Sequence, residues 1–389
     1  MTVLFVTPHF GNVTNGPDLY AQNLWTLFAE DPSVDFHMGV LTSNVRDPKI
    51  HHYGGFQRSR SMYAQLENHI IDILREDVFS GGDVILHVNS AYILSSRLLK
   101  KYKTIVQIND TEVAQWKPSL RYLFQHGLRR NLALAWRKKR ELSSAMASKK
   151  VVCNSHFTRQ AVIKHHNLDP MKIVTIYKAI PLAQFLSVRP KRRKPNQEVK
   201  LIFIGSNWVR KGLEPLIAAV KQIADTRDNY EIHLHVYGNP SRPVKSRFLK
   251  IVKNLNLTDS IGFKGVLTRQ EAPMVIGQHN ALVIPSFEEA LGLAAVEGLA
   301  VGIPVIATNV GGLPEVVNTE LGYLVPPGEP NSLVDSIDCV AAKTCSDVDI
   351  QKRKKSVDRF GLNSLEDGLK RLYLNCKDPM NFPFENAKF

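Results

Sequence analysis

Two glutamates in the second half of the chain stand at a spacing that suits a single extended ligand. Glu289 and Glu297 are separated by seven residues in the stretch PSFEEALGLAAVEG. A Glu just before a helix and another two turns into it can contact two parts of one ligand, because residues seven or eight apart share a helix face. The helix start, near Gly292 and Leu293, would offer free backbone N–H groups to a diphosphate. The alternative for both glutamates is a solvated carboxylate stabilised by the helix dipole.

A second group of candidates lies in the stretch IGSNWVRKG, which follows the first predicted strand of the second half. Gly205 and Ser206 lie in the predicted turn, and Arg210 and Lys211 come just before a predicted helix. Two cations beside a departing diphosphate would stabilise the charge that develops in a transition state. The alternative for each cation is ordinary solvated surface charge.

The first half of the chain offers weaker candidates. Gly16 lies in the loop after the first predicted strand, where a residue without a side chain lets the backbone approach a phosphate; an ordinary turn is the alternative. Asp18 either caps the following helix or contacts a ligand, and the cap is the favoured interpretation. Asp110, at the end of a predicted strand, and Lys178, after the last strand of this half, are candidate cleft residues.

Strands and helices alternate along the chain, which predicts the α/β class with parallel, doubly wound sheets. The predicted strands are 2–7, 34–41, 83–88, 104–108, 149–153, 173–176, 199–204, 231–236, 281–284, 304–307 and 322–325. A length of 389 residues suits two such domains, which we place at 1–188 and 199–365. A basic linker at 189–198 joins them, and a helix and tail at 366–389 could return to the first domain. Two Rossmann-like halves in tandem predict a ligand cleft between them.

The stretch 285–328 resembles the second domain of glycosyltransferase family 4, which carries a Glu, seven residues and a second Glu. The segment GIPVIAT at 302–308, the Gly311-Gly312 pair and the segment 322–328 continue the family pattern in register. The resemblance covers nearly the whole chain, strongly in the second half and weakly in the first. It implies the GT-B architecture, in which two Rossmann-like domains face each other across a cleft.

The resemblance also implies residue roles. In the family the first glutamate holds donor-sugar hydroxyls, the second holds the ribose, and two cations bind the donor pyrophosphate. The catalytic residues implied are Glu289, Lys211 and Arg210. The donor-binding residues implied are Glu297, Gly292, Leu293, Gly205, Ser206, Val266 and Gly16. Asp18, Asp110 and Lys178 stay as candidates for the acceptor side.

The chain departs from the family pattern at several positions. Ser206 stands where the family usually has an arginine, so Arg210 is expected to supply the second cation, as in the lipopolysaccharide-core glucosyltransferases that this stretch resembles. Gly16 is followed by a proline where the family often has two glycines. Asn109 replaces a common histidine, which puts an acid–base or sugar-orienting role for that position in doubt.

The expected activity is retaining, metal-independent transfer of a hexose from a nucleoside diphosphate sugar, with uridine diphosphate glucose as the default donor. The expected acceptor is a cell-surface glycan, glycolipid or lipopolysaccharide-type precursor. No cofactor is expected, because the one Asp-x-Asp triplet, Asp347-Val348-Asp349, lies in the C-terminal helical stretch and is interpreted as surface. The alternatives are a soluble transferase for a small molecule or protein and a non-catalytic basic scaffold.

The charge of the chain is high and uneven. The formal net charge is +14. The segment from Arg97 to Lys150 contains fourteen Lys or Arg but only three acidic residues. Such a field attracts phosphate-rich partners: anionic lipid, a lipid-linked acceptor or nucleic acid. Nucleic acid is not expected, because clustered aromatic RNA motifs are absent. The aromatic and cationic stretch 120–150 suits a membrane interface, and its alternative is a solvated helix packed on its own domain.

The remaining features predict a cytoplasmic protein, peripheral on the inner face of the plasma membrane. Met1 leads directly into TVLFVTP, which does not resemble a signal peptide. The longest apolar run, 290–308, contains Glu297 and Pro304 and is not expected to span a membrane. The four cysteines form no CxxC motif and are interpreted as reduced thiols.

Overall fold

The computed structural model describes residues 1–11, 16–53, 61–80, 83–109, 112–115, 120–191 and 198–377. The chain divides into two compact units. The first unit comprises Met1–Ala179 together with the chain from Leu362 onwards, and the second comprises Ile180–Gly361. Each unit is built around its own parallel sheet, as the alternating pattern predicts.

The first unit opens the chain. Its elements are β1 (Thr2–Val6), β2 (His9–Phe10), α1 (Gly16–Phe28), β3 (Asp35–Val40), β4 (Thr42–Ser43), β5 (Ile50–His52), α2 (Met62–Ile73), α3 (Asp77–Ser80), β6 (Val84–Val88), α4 (Ser96–Leu99), β7 (Lys103–Ile108), α5 (Glu112–Gln115), α6 (Leu120–Ala147), β8 (Lys150–Cys153), α7 (His156–His166) and β9 (Ile173–Thr175). The seven-stranded sheet has the order β5-β3-β1-β6-β7-β8-β9, and β2 and β4 form a separate pair.

The second unit has a six-stranded sheet. Its elements are α8 (Ala183–Leu186), β10 (Val199–Ile204), α9 (Leu213–Thr226), β11 (Ile232–Tyr237), α10 (Arg242–Asn254), β12 (Ile261–Gly265), α11 (Ala272–Gly277), β13 (Ala281–Ile284), α12 (Leu293–Val301), β14 (Val305–Thr308), α13 (Leu313–Val316), β15 (Gly322–Val325), α14 (Pro330–Ala342) and α15 (Asp347–Ser356). The strand order is β12-β11-β10-β13-β14-β15, with every pair parallel.

The last helix, α16 (Leu362–Lys377), belongs to the first unit. It buries Leu369, Leu372 and Tyr373 in the same cluster as Phe5 of β1 and Phe28 of α1. Alternate residues of a strand point to opposite faces of a sheet, so Leu4 and Val6 join the cluster on the other face. The sheet of the first unit is therefore covered on both faces.

The change from one unit to the other falls at Ala179, so the predicted boundary at 188 lies inside the second unit. Hydrogen bonds explain the difference. The Ile180 amide donates to the Phe360 carbonyl at 3.0 Å, and the Lys354 ammonium donates to the carbonyls of Leu186 and Val188 at 2.5 and 2.7 Å. These contacts attach 180–188 to the second unit before the basic stretch begins.

Candidate functional site

The sheet order of the second unit determines where its loops converge. In a doubly wound sheet, ligands bind outside the carboxyl ends of the strands, where neighbouring strands send their connections to opposite sides. In the order β12-β11-β10-β13-β14-β15 that point lies between β10 and β13. The loop after β10 carries Arg210 and Lys211, and the loop after β13 carries Glu289. The topology thus brings together the two strongest groups of candidates from the sequence.

Lys211 and Glu289 form an ion pair at this edge. The Lys211 ammonium donates to the Glu289 carboxylate, and the two side chains are only 17% and 14% exposed. The stem of Lys211 packs over Gly205, where an added Cβ would lie 3.3 Å from Lys211 Cγ. A half-buried lysine with one carboxylate partner has further N–H donors and is a suitable ligand for a phosphate.

Two hydrogen bonds join the loop after β10 to the loop after β13. The Phe287 amide donates to the Arg210 carbonyl at 2.9 Å, and Nη1 of Arg210 donates to the Glu288 carbonyl at 2.8 Å. Gly212 has φ 70°, and a Cβ there would lie 1.8 Å from the Pro285 carbonyl oxygen. Only glycine fits this approach, so the position of Lys211 relative to Glu289 is fixed by the fold.

A third loop, after β14, contacts the backbone of Glu289. The Gly312 amide donates to the Glu289 carbonyl at 3.0 Å, and a Cβ on Gly311 would lie 1.7 Å from the same oxygen. The buried Thr308 hydroxyl donates to the Ser286 carbonyl at 2.6 Å. The loop that carries Glu289 is therefore held from both neighbouring strands.

Helix α12 begins beside this loop. Gly292 is its N-cap residue, at φ 98° and with no side-chain hydrogen bond, and Leu293 is its first residue. The N–H groups of the first turn are therefore not satisfied by a cap, and the helix dipole favours an anion there. An N-terminus of this kind next to Lys211 and Arg210 is suited to a diphosphate.

Glu297 lies on α12, one turn beyond its start. Its side chain is 14% exposed. Burial raises the pKa of the carboxyl from 4.5 to about 7, while Arg269 and Lys211 act in the opposite direction. A carboxylate with a pKa this close to neutrality is typical of a functional site, because a solvated structural glutamate has no reason to be so perturbed.

The other predicted donor residues lie at the same edge. Gly205 and Ser206 follow β10, and the Ser206 hydroxyl accepts from the Asn239 amide at 3.1 Å in the loop after β11. Val266 directly follows β12 and is 66% exposed. The sequence analysis did not single out Asn239 or Arg269, which lie in the loops after β11 and β12. The strand before Arg269, IGFKG, was not predicted because Gly262 and Lys264 interrupt its apolar pattern.

Two family models match this chain. A model described as glycosyl transferases group 1 matches residues 185–357, and one described as glycosyltransferase family 4 matches residues 24–184. The two matches adjoin and together run from 24 to 357. The chain belongs to these glycosyltransferases.

Individual relatives of this chain have modest sequence identity to it. A D-inositol 3-phosphate glycosyltransferase from Streptomyces bingchenggensis is 29% identical over 198 residues, which is 47% of this chain and 43% of that protein. The chain thus spans less than half the length of that curated relative.

Solved structures share the fold. WaaG, a glycosyltransferase involved in lipopolysaccharide biosynthesis, has a TM-score of 0.70 at 16% identity and covers 95% of this chain and 99% of its own. HepE from Anabaena in complex with UDP has a TM-score of 0.69 at 15% identity and covers 96% and 100%. The GT-B fold expected from the sequence, with its two parallel-sheet α/β domains, is confirmed.

In the first unit, two of the candidate residues lie next to each other. Gly16 is the first residue of α1, and a Cβ on it would lie 3.4 Å from Nζ of Lys178, whose side chain is buried. Asp18 lies inside the first turn of α1, so the favoured prediction of an N-cap is wrong: the helix begins two residues before it. Asp110 lies outside the described residues.

The described residues also bear on metal binding and on membrane insertion. Among the described residues, no cluster of three or more His, Cys, Asp or Glu side chains is arranged to hold a metal ion. In the Asp347–Asp349 triplet, Asp349 forms a capping box with Ser346 at the start of α15. Within the same described ranges, no helix combines the length and the apolar character that a membrane span requires.

Proposed function

We propose that this protein transfers a hexose from a nucleoside diphosphate sugar to a glycan or glycolipid acceptor, and that UDP-glucose is the donor to test first. The observation that carries the proposal is the half-buried Lys211–Glu289 pair beside the start of α12, which has no side-chain cap. HepE, whose fold this chain shares, has been solved with UDP and with UDP-glucose, which supports the choice of donor.

Different residues of the site bind different parts of the donor. Lys211, Arg210 and the first turn of α12, at Gly292 and Leu293, bind the diphosphate and stabilise the leaving group. When the donor binds, the Lys211 ammonium donates to its phosphate as well as to Glu289. The Glu289 carboxylate then has oxygen lone pairs available to accept from donor-sugar hydroxyls. Glu297 accepts from the ribose.

The proposed reaction is retaining and needs no divalent cation. Lys211 and Arg210 supply two positive charges at the diphosphate, which is the role that a metal ion plays in other transferases. The expected experiment is donor hydrolysis without acceptor, measured as release of UDP from a panel of UDP-sugars in excess chelator. Slow release from UDP-glucose is the predicted result. Activity that is lost with chelator and restored by magnesium or manganese would contradict metal independence.

The matched control for this assay is a lysine on the same unit. Lys221 lies on α9 and pairs with Asp225 at an exposed position, away from the loops that carry Lys211. Lys221→Ala should release UDP at the wild-type rate, whereas Lys211→Ala should not. Equal and unimpaired rates in both variants would contradict the proposed site. No release from any UDP-sugar would instead favour the non-catalytic scaffold.

Helix α6 supports an acceptor at a membrane surface. Leu128, Leu132 and Trp136 are spaced four residues apart on one face and are 62%, 60% and 42% exposed. Arg129 and Lys139, beside this stripe, are exposed too. An apolar stripe flanked by cations suits the interface of an anionic bilayer, so we propose peripheral binding to the cytoplasmic leaflet and a lipid-linked acceptor.

A small-molecule acceptor is the second candidate. It is supported by the relative named D-inositol 3-phosphate glycosyltransferase, although the aligned region is only 47% of this chain. Acceptor trials with a soluble inositol phosphate and with a lipid-linked sugar, both scored by accelerated UDP release, separate the two candidates.

A further inference from the structure

Arg269 lies in the loop between β12 and α11 and has no role in the site as assigned above. Its loop is fixed locally, because the Thr268 amide and hydroxyl donate to the Glu271 carboxylate at 3.2 and 2.6 Å. The Arg269 side chain is 37% exposed, yet its Nη1 atom is buried and makes no hydrogen bond within the described parts of the chain. A buried guanidinium nitrogen without an acceptor is unfavourable, and it needs an explanation.

The charged group opposite Arg269 is Glu297. Arg269 Nη1 lies 4.0 Å from Glu297 Oε1. This separation is within the range of an ion pair but too long for a hydrogen bond. The two groups therefore attract each other without satisfying each other's donors and acceptors.

A hydroxyl group can satisfy both side chains at once. It donates its hydrogen to a carboxylate and accepts from a guanidinium N–H through its oxygen lone pairs. We propose that Arg269 is a further donor-binding residue, which shares one ribose hydroxyl of the donor with Glu297. The inference rests on the proposed function, since that function places the ribose at Glu297.

The charge of Arg269 has a second effect, on the protonation of Glu297. Burial raises the pKa of Glu297 to about 7, and the charged groups that oppose the rise are Arg269 first and Lys211 second. Replacing Arg269 by a neutral side chain leaves only Lys211, so the pKa of Glu297 rises further. A protonated Glu297 has lost its charge and accepts more weakly from the ribose. The variant should therefore bind the nucleotide poorly at neutral pH and recover in part at alkaline pH.

The experiment is a calorimetric titration of UDP into wild type, Arg269→Met and Arg269→Lys, between about pH 6 and pH 9. UDP titrates in this range too, but identically for every protein, so ratios to wild type cancel its contribution. The midpoint at which affinity falls with acid should move to higher pH in Arg269→Met and stay near the wild-type midpoint in Arg269→Lys. Between the two midpoints, each pH unit of displacement corresponds to up to about a tenfold loss of affinity.

A second arm tests the shared hydroxyl directly. The same proteins are titrated at about pH 9 with 2′-deoxy-UDP and 3′-deoxy-UDP, so that Glu297 is largely ionised in each. Wild type should discriminate against the analogue that lacks the shared hydroxyl, and Arg269→Met should discriminate less. Arg247→Met is the matched control, because Arg247 pairs with Glu214 at an exposed position of the same unit.

The outcomes separate this inference from the proposed function. Wild type that binds UDP, with Arg269→Met unchanged in midpoint and in discrimination, overturns the role of Arg269 alone. A loss of affinity that is uniform over pH and over all three ligands means a general structural role and overturns it as well. Wild type that does not bind UDP at any pH overturns the proposed donor, and the role of Arg269 with it.

Discussion

At the scale of single residues, the account depends on Lys211 and Glu289, which stand 78 positions apart in the chain and form one ion pair. Their chemistry could be predicted from the sequence, because a Lys before a helix and a Glu in family register each suggested a donor site. Their direct contact could not, since it depends on Gly212 and Gly311 allowing three loops to approach within backbone distance. Glu297 was predicted to bind ribose, but its raised pKa follows from burial that no local pattern reveals.

Glu289→Gln should abolish transfer and leave UDP affinity equal to or above that of wild type. The amide cannot replace a charged hydrogen bond to the transition state, and its loss should raise the activation free energy by about 2–4 kcal/mol. UDP affinity survives because Lys211 loses its carboxylate partner and stays available to the phosphates. Turnover assays and calorimetry on the same preparation test this, and wild-type turnover would exclude the assigned role.

Glu297→Gln should stabilise the empty protein at about pH 8 but not at about pH 4.5. The folded-state pKa of about 7 lies above the ordinary value of 4.5, so the folded protein binds the proton more tightly than the unfolded chain. Stability is therefore full at low pH and falls as the pH rises from 4.5 to 7. Replacing the carboxyl by an amide should therefore raise the free energy of unfolding by about 3 kcal/mol above pH 7. Denaturant titrations at both pH values measure it, and an equal effect at both would contradict the assigned shift.

At the scale of elements, the strands were predicted well because buried parallel strands are nearly continuous apolar runs. Most of the predicted strands differ from the observed ones only at their ends, and β10 spans the predicted residues 199–204 without a difference. The C-terminal helical stretch contains two separate helices, α15 and α16, which belong to different units. Helical periodicity shows that a helix has an apolar face, but it does not indicate which sheet that face covers.

The cations of helix α6 differ in whether they can be replaced without damage to the fold. Arg140 donates to the carbonyls of Tyr92 and Ile93 at 2.8 and 3.0 Å, so reversing its charge would damage the fold. Arg129 and Lys139 are exposed and are the residues to change. If α6 docks on a bilayer, Arg129→Glu with Lys139→Glu should weaken binding to anionic vesicles, since each lysine or arginine near the surface contributes about 1 kcal/mol.

The control for that experiment is Lys100→Glu with Lys101→Glu. It makes the same change of charge at exposed positions of the same unit, next to α4. Vesicle co-sedimentation at low and at physiological salt measures both variants against wild type. Equal loss in the two double variants would show that net charge, and not the α6 surface, drives binding. No loss in either would mean that the cations of α6 are a solvated face.

At the scale of the whole molecule, the chain forms two units, each built on a parallel sheet, one after the other along the sequence. Chain length and strand alternation were enough to predict two α/β domains. The position of the division was not predictable from composition, because 180–188 is attached to the second unit by carbonyl contacts to Lys354. The predicted boundary was placed at the basic stretch because of its composition. The hydrogen bonds of 180–188 place the observed boundary before it.

The most direct test of the central claim, that the second unit binds a nucleoside diphosphate sugar at the carboxyl edge of its sheet, is a calorimetric titration with UDP. Wild type should bind, and Lys221→Ala should bind equally, because Lys221 serves only an exposed pair with Asp225. Lys211→Ala should lose affinity by about tenfold or more, in keeping with one charged hydrogen bond to phosphate of 1.5–3 kcal/mol. Arg210→Ala should lose the same amount or less, since its guanidinium is exposed. Unchanged affinity in both Lys211→Ala and Arg210→Ala would contradict the account, because the phosphate site would then lie elsewhere.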